Sequence, residues 1–220
     1  MSYQRARTAE HKRERAQAFL DAARTVALRD GVHATTLVAI AEEVGLHHSA
    51  VRRYFPSRDA VLLRWAAEGW SGWAERITAR LAGARVGPRE LADVLAETLV
   101  ADPLLCDLLG NVPLHLERGV DGDELLAFKR TGMAALDDIT AAIAEAAPDL
   151  GPAGAADLMT ATTALAATLW QVCHPAPALA EVYRREPELG HLAADFGSSL
   201  RRLVEATARG LAQDGVSPAS

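Results

Sequence analysis

The chain has 220 residues, half of them hydrophobic, so it can bury a real core and fold unaided, as one large domain or as a small domain joined to a larger one. Two cysteines, Cys106 and Cys173, are too few for a disulfide framework, and the opening MSYQRARTAEHKRERAQAF has no apolar run like a signal peptide's, so the expected setting is cytoplasmic, with reduced thiols. The formal charge of −6 hides an uneven split: residues 1–64 carry 11 Lys and Arg against 7 Asp and Glu, and residues 65–220 carry 12 against 22. Such asymmetry fits a chain whose basic end meets a polyanion, although a solvated charged surface gives the same counts.

No segment alternates apolar and polar residues with period two. Apolar residues recur every three or four positions instead, and the chain reads as all-α, with about nine helices. The first is expected over Glu10 to Arg29, with a stripe of Ala16, Phe19, Leu20, Ala23, Val26 and Ala27, and Gly31 as its left-handed stop. Thr36 is placed to cap a second helix, LVAIAEEV, which Gly45 ends. A third starts near His48 and stops at Pro56. Ser57 caps a fourth, whose stripe Leu62, Trp65, Gly69, Trp73, Ile77 and Leu81 carries the chain away from the first three as a lever.

Beyond the turn GARVGP, helices are expected over Glu90 to Ala101, from Pro103, within residues 110–123 and from Glu124 to about Ala147. PDLGP then breaks the pattern before a helix over 155–174. Leu158 to Ala180 carries no Asp, Glu, Lys or Arg and is long enough to span a bilayer, but its threonines, Gln171, Pro175 and Pro177 make a fully buried helix the better reading. A connection over 174–190 with one or two helical turns precedes a last helix, Leu192 to Gln213, and a frayed tail.

The segment VGLHHSAVRRYF, residues 44–55, carries the most chemistry. A helix burying Val44, Leu46, Val51 and Phe55 must turn His48, Ser49, Arg52 and Arg53 outward. Ala41-x-x-x-Gly45 lets two helices approach, the glycine takes a positive φ, and Leu46 is placed to plug the space between them, which makes a helix-turn-helix. Its second helix fits a DNA major groove, where Arg pairs with guanine while His and Ser bond base edges or phosphates. Arg5, Arg7, Lys12, Arg13 and Arg15 form a basic arm for flanking phosphates or a minor groove. The competing reading is a merely solvated amphipathic face.

Residues 19–64 resemble the DNA-binding domain of TetR-family transcriptional regulators. TTLVAIAEEVGLHHSAVRRYFPSRDAVL follows that family's order of Thr, Ile-Ala, Gly, an aromatic pair and a Ser-Lys-Glu-like helix start. The resemblance implies that Thr36 contacts a phosphate and that Tyr54, Phe55 and Arg58 stand for the family's His/Tyr, Phe and Lys. Two residues depart from it. His47 replaces a common Ser, removing the hydroxyl cap of the recognition helix, and Arg52 replaces a common Tyr, putting a fixed charge where a phenol stands.

The resemblance further implies a helix-turn-helix domain over 1–64 and a larger helical effector-binding and dimerisation domain over 65–220. The function implied is that of a repressor, working as a homodimer on a palindromic operator and released by a small hydrophobic effector. The helices 155–174 and 192–213 are the candidates for the dimer contact. Trp70, Trp73, Cys106, His115, Phe128, Met133, Met159, Trp170 and Cys173 are the candidate cavity linings, although for each of them plain core packing is the better reading. The rivals are a helical-bundle enzyme and a constitutive DNA-binding protein without an effector. The enzyme lacks a motif: Glu188-x-x-His191 is unrepeated, Cys173-His174 with Cys106 or His115 has no short metal spacing, and no phosphate loop or nucleophile elbow occurs. No metal, cofactor or catalytic residue is therefore expected.

Overall fold

A computed structural model of the protein describes residues 2–114, 120–190 and 195–214. Every regular element in them is helical, with ten α-helices and three 3₁₀ turns. Three helices make the N-terminal head: α1 (Ser2–Asp30), α2 (Leu37–Glu43) and α3 (His48–Arg52). The helix α1 begins well before Glu10, because no Gly or Pro interrupts its run of strong helix formers. The basic N-terminal stretch is thus continuous with α1 and does not stand apart as an arm.

Local signals set the head's turns. Gly31 takes φ +87°, Thr36 Oγ1 accepts the Ala39 N–H at 3.1 Å to cap α2, and Gly45 takes φ +67° to end the turn after it. Phe19, Leu20, Ala23, Ile40, Ala41, Val51 and Phe55 form the head's core. Leu46 departs from expectation: its N–H bonds the Ala41 carbonyl at 2.8 Å, but its side chain is 39% exposed. Val51 and Ile40, both fully buried, belong to the head's core, which Leu46 does not join.

Ser57 Oγ accepts the Ala60 N–H at 3.0 Å to start α4 (Arg58–Leu81), and the whole stripe from Leu62 to Leu81 is buried. At Gly69 an added Cβ would stand 3.1 Å from Leu105 Cδ1, so the neighbouring helix packs closely here and a larger residue would make the Leu105 side chain give way. That neighbour is α6 (Pro103–Leu114), preceded by α5 (Pro88–Val100). The expected break at Gly110 does not occur and α6 runs through it. A Cβ there would meet the Ala167 carbonyl at 3.4 Å, an ordinary contact, so α6 packs on α8 at this position. Next come α7 (Gly122–Ala146), α8 (Gly151–Cys173), α9 (Pro177–Arg185) and α10 (Phe196–Asp214).

The bundle packs α4 on α7, α6 on α8, and α10 across α5 and α8. Its core runs through Trp73, Ile77, Leu95, Ile139, Leu158 and Leu200. A further apolar cluster joins Ala27 and Val32 of the head to Leu62, Trp65, Leu104, Leu108 and Phe128, so head and bundle share packing across residue 64. The helix α8 corrects another expectation. It buries Ala155, Leu158, Met159, Thr162 and Ala166, while Ala153, Ala156, Thr160, Ala164 and Thr168 face solvent. An uncharged helix of Ala and Thr is as compatible with an outward face as with full burial. No helix among the described residues is long and apolar enough to cross a membrane.

Candidate functional site

Two features collect the chain's functional chemistry, the outward face of α3 and a cavity in the bundle. Val51 is fully buried and Phe55 nearly so, and they fix the roll of α3 so that His48, Ser49, Arg52 and Arg53 are exposed. Neither arginine makes an ion pair among the described residues. The cap that His47 was expected to forfeit is supplied by its imidazole, whose Nδ1 accepts the Ser49 N–H at 3.4 Å and lies 3.0 Å from Ser49 Oγ. A neutral ring accepting there carries its proton on Nε2. The His47 and His48 rings are 4.2 Å apart.

The other residues carried over from the resemblance divide. Thr36 is exposed beside the start of α2. Tyr54 is half-buried, its ring 5.3 Å from Phe19. Arg58 turns inward: Nε donates to the Thr35 carbonyl and Nη2 to the Val32 carbonyl, each at 2.8 Å, and Nη1 pairs with Asp59. It clamps the start of α4 to the turn between α1 and α2. Lys12, Arg13 and Arg15 are exposed on α1, whereas the side chains of Arg5 and Arg7 lie outside the described residues.

The cavity, of about 410 Å³, opens between α4, α6, α7 and α8. Trp70, Phe128 and Met133 line it, as do Leu105, Leu108, Leu109 and Val112 of α6. That aliphatic stripe at helical spacing was the signal to follow, in place of aromatic and sulfur side chains. Trp73 lies in the core and donates Nε1–H to Thr98 Oγ1 at 3.0 Å; Met159 is fully buried there as well. Trp170 stacks on His174 at 3.7 Å and meets Phe196 edge-on, fastening α8 to α10. His115 lies outside the described residues, as does His191.

The cysteines are inert by environment. Burial, reinforced by Asp102, pushes the Cys106 thiol up to about 12, and its Sγ donates to the Leu99 carbonyl at 3.2 Å. Desolvation and then Asp195 raise the Cys173 thiol. No group of three or more His, Cys, Asp or Glu able to hold a metal occurs among the described residues.

A helix-turn-helix head with free arginines, packed on a helical bundle around an apolar cavity, defines a DNA-binding regulator. Residues 19–64 match the bacterial regulatory proteins of the tetR family, and residues 67–215 match the tetracyclin repressor-like C-terminal domain. The chain belongs to the TetR family of DNA-binding transcription regulators, which are not enzymes.

Several solved structures share the fold. FadR from Thermus thermophilus, a TetR-family repressor in complex with lauroyl-CoA, is 17% identical with a TM-score of 0.58, over 93% of this chain and 96% of that one. The fatty acid degradation regulator FadR from Bacillus halodurans is 15% identical with a TM-score of 0.54, over 90% and 94%. The MbdR regulator from Azoarcus sp. CIB is 22% identical with a TM-score of 0.52, over 86% and 95%. No curated protein matches the chain in sequence.

Proposed function

We propose that this chain is a dimeric repressor that grips a palindromic operator with two copies of α3 and lets go when an apolar small molecule fills the bundle cavity. The observation that carries the reading is the pair Arg52 and Arg53, exposed beside His48 and Ser49 on one face of a capped helix with no ion pair among the described residues. Guanidinium forks match the O6 and N7 edge of guanine, and His48 and Ser49 supply adaptable bonds beside them. Thr36, His47, Tyr54, Lys12, Arg13 and Arg15 are assigned to the phosphates that set register. Arg58 acts one step back, by holding the head on α4.

One head reads too few bases for a unique site, so a second copy is required. The outward Ala and Thr face of α8, with α10 beside it, supports a four-helix contact between protomers. The cavity falls within the roughly 300 to 1,000 Å³ of small-molecule sites. Its aliphatic walls suit an acyl chain or aromatic ring, and Lys129 on its lining suits an anionic end. The lauroyl-CoA held by the Thermus regulator combines those two features.

Cavity and head are linked through α6. Leu104, Leu108 and Val112 pack in one cluster with Val32 and Ala27, and Arg58 ties Val32 to α4. A ligand that displaces α6 or α4 therefore moves the heads away from the roughly 34 to 36 Å spacing of successive major grooves. It shifts the balance only by binding the released state more tightly.

The test is selection of the full-length protein against a random DNA pool, followed by addition of lauroyl-CoA to the winning complex. An enriched palindrome bound by a dimer and released by lauroyl-CoA is expected. Absence of enrichment removes the DNA reading; an operator complex that withstands lauroyl-CoA removes only the acyl effector.

A further inference from the structure

A second cleft, of about 620 Å³, opens where the head meets the bundle. It lies between α4 and α7, and Tyr54 and Phe55 from the end of the recognition segment form part of its wall. Its chemistry is unlike that of the apolar cavity. Glu68, Glu75 and Glu124 line it, and among the described residues the one cation on its wall is Arg64, whose Nε is 3.6 Å from Glu68. Glu75 and Glu124 have no ion pair among the described residues. The remaining wall includes the apolar side chains of Leu63, Ala67 and Phe128.

Glu124 Oε2 is shielded from solvent and has no hydrogen-bond partner among the described residues. Such an oxygen costs free energy until a donor reaches it. Desolvation, followed by the charge of Asp121, raises the Glu124 carboxyl above the usual range. Helix capping does not require this carboxylate, because Asp121 already accepts the Asp123 and Glu124 N–H groups at the start of α7. The cleft thus joins surplus negative charge, an acceptor without a donor and an apolar floor.

We propose that this cleft binds a small organic cation with an apolar or aromatic body, its ammonium or amidinium group donating to Glu124 and its body resting on Phe55, Leu63 and Phe128. The occupant is chemically distinct from the anionic acyl compound assigned to the apolar cavity. Phe128 lines both spaces and is the wall between them. The cation touches head and bundle at once, so it acts on their relative orientation without passing through α6. By reciprocity, operator binding changes the affinity for the cation by the same factor as the cation changes operator binding.

The test is calorimetric titration of the full-length protein with naphthylmethylammonium, and with naphthylmethanol as a neutral ligand of the same shape. The cation is expected to saturate one site per protomer, at least about tenfold tighter than the alcohol, the scale of a desolvated charge contact. Glu124→Gln is expected to erase that preference while keeping or raising Tm, because it removes an uncompensated charge. Glu75→Gln, on an exposed position, should reduce the preference by a smaller factor. Leu109→Trp, which fills the apolar cavity from α6, separates the two sites, and the cation should still bind that variant. Equal binding of the two ligands, no saturable binding, or an unchanged preference in both Gln variants overturns the assignment. Loss of the cation in Leu109→Trp with retention in Glu124→Gln overturns it too.

Discussion

On α3 the side chains that matter reach into solvent, and their charge is left unneutralised by the described part of the chain. In the bundle cavity the walls are Leu, Val, Trp, Phe and Met, and the chemistry lies in what is excluded. The first arrangement spends almost no stability on function: Val51 and Phe55 hold the helix, while Arg52 and Arg53 are free to bind. The second leaves packing incomplete between four helices, the space that the proposed effector would fill. A substitution on the reading face should therefore change binding alone, whereas one in the bundle changes stability, ligand response or both according to which side of the wall it touches.

The largest effect is expected at Trp73, which is fully buried and bonded to Thr98, next to Trp70 on the cavity wall. Trp73→Ala should lose about 3 to 5 kcal/mol in denaturant unfolding. Met133→Ala, at a side chain 54% exposed on the cavity lining, should barely move the curve while weakening the effector's release of DNA. Equal losses at both positions would erase the distinction between core and cavity.

Arg58→Ala removes two charge-assisted bonds to the Val32 and Thr35 carbonyls. A loss of about 1.5 to 3 kcal/mol in stability is expected, together with weaker operator binding. If only DNA affinity fell and stability held, Arg58 would be a phosphate contact after all. Arg52→Ala and Arg53→Ala should each weaken specific binding by about 1 to 3 kcal/mol where the side chain reads a base. Their unfolding free energies should stay within about 0.5 kcal/mol of the parent. The smallest effect falls on His47→Ala, which deletes the imidazole cap of α3 and should cost about 0.5 to 2 kcal/mol, regained by His47→Ser.

The head was legible because its signals are local. Thr36 and Ser57 cap the helices that follow them, and Gly31 and Gly45 take the positive φ that their turns need. What escaped was set by distant partners. Leu46 is exposed, and the head's core is built from Ile40, Val51 and Phe55 without it. Arg58 turns inward because the turn between α1 and α2 presents two carbonyls that no local pattern announces. Gly110 reads as a breaker but sits inside α6, facing Ala167 and Gln171 of α8, a packing partner that no local pattern announces. The uncharged stretch of α8 reads as buried because Ala and Thr without charge are as compatible with an outward face as with a core. The cavity was hardest to place, since its lining is ordinary Leu and Val made special by what does not pack against them.

The most direct test of the account is the salt dependence of operator binding by the parent and by the double variant Arg52→Ala, Arg53→Ala, on DNA selected with the parent. The account predicts a steep negative slope of log K against log salt for the parent, and for the double variant a large loss of affinity and selectivity with an unchanged melting curve. Equal affinity and equal slope in the two proteins would show that α3 does not read DNA.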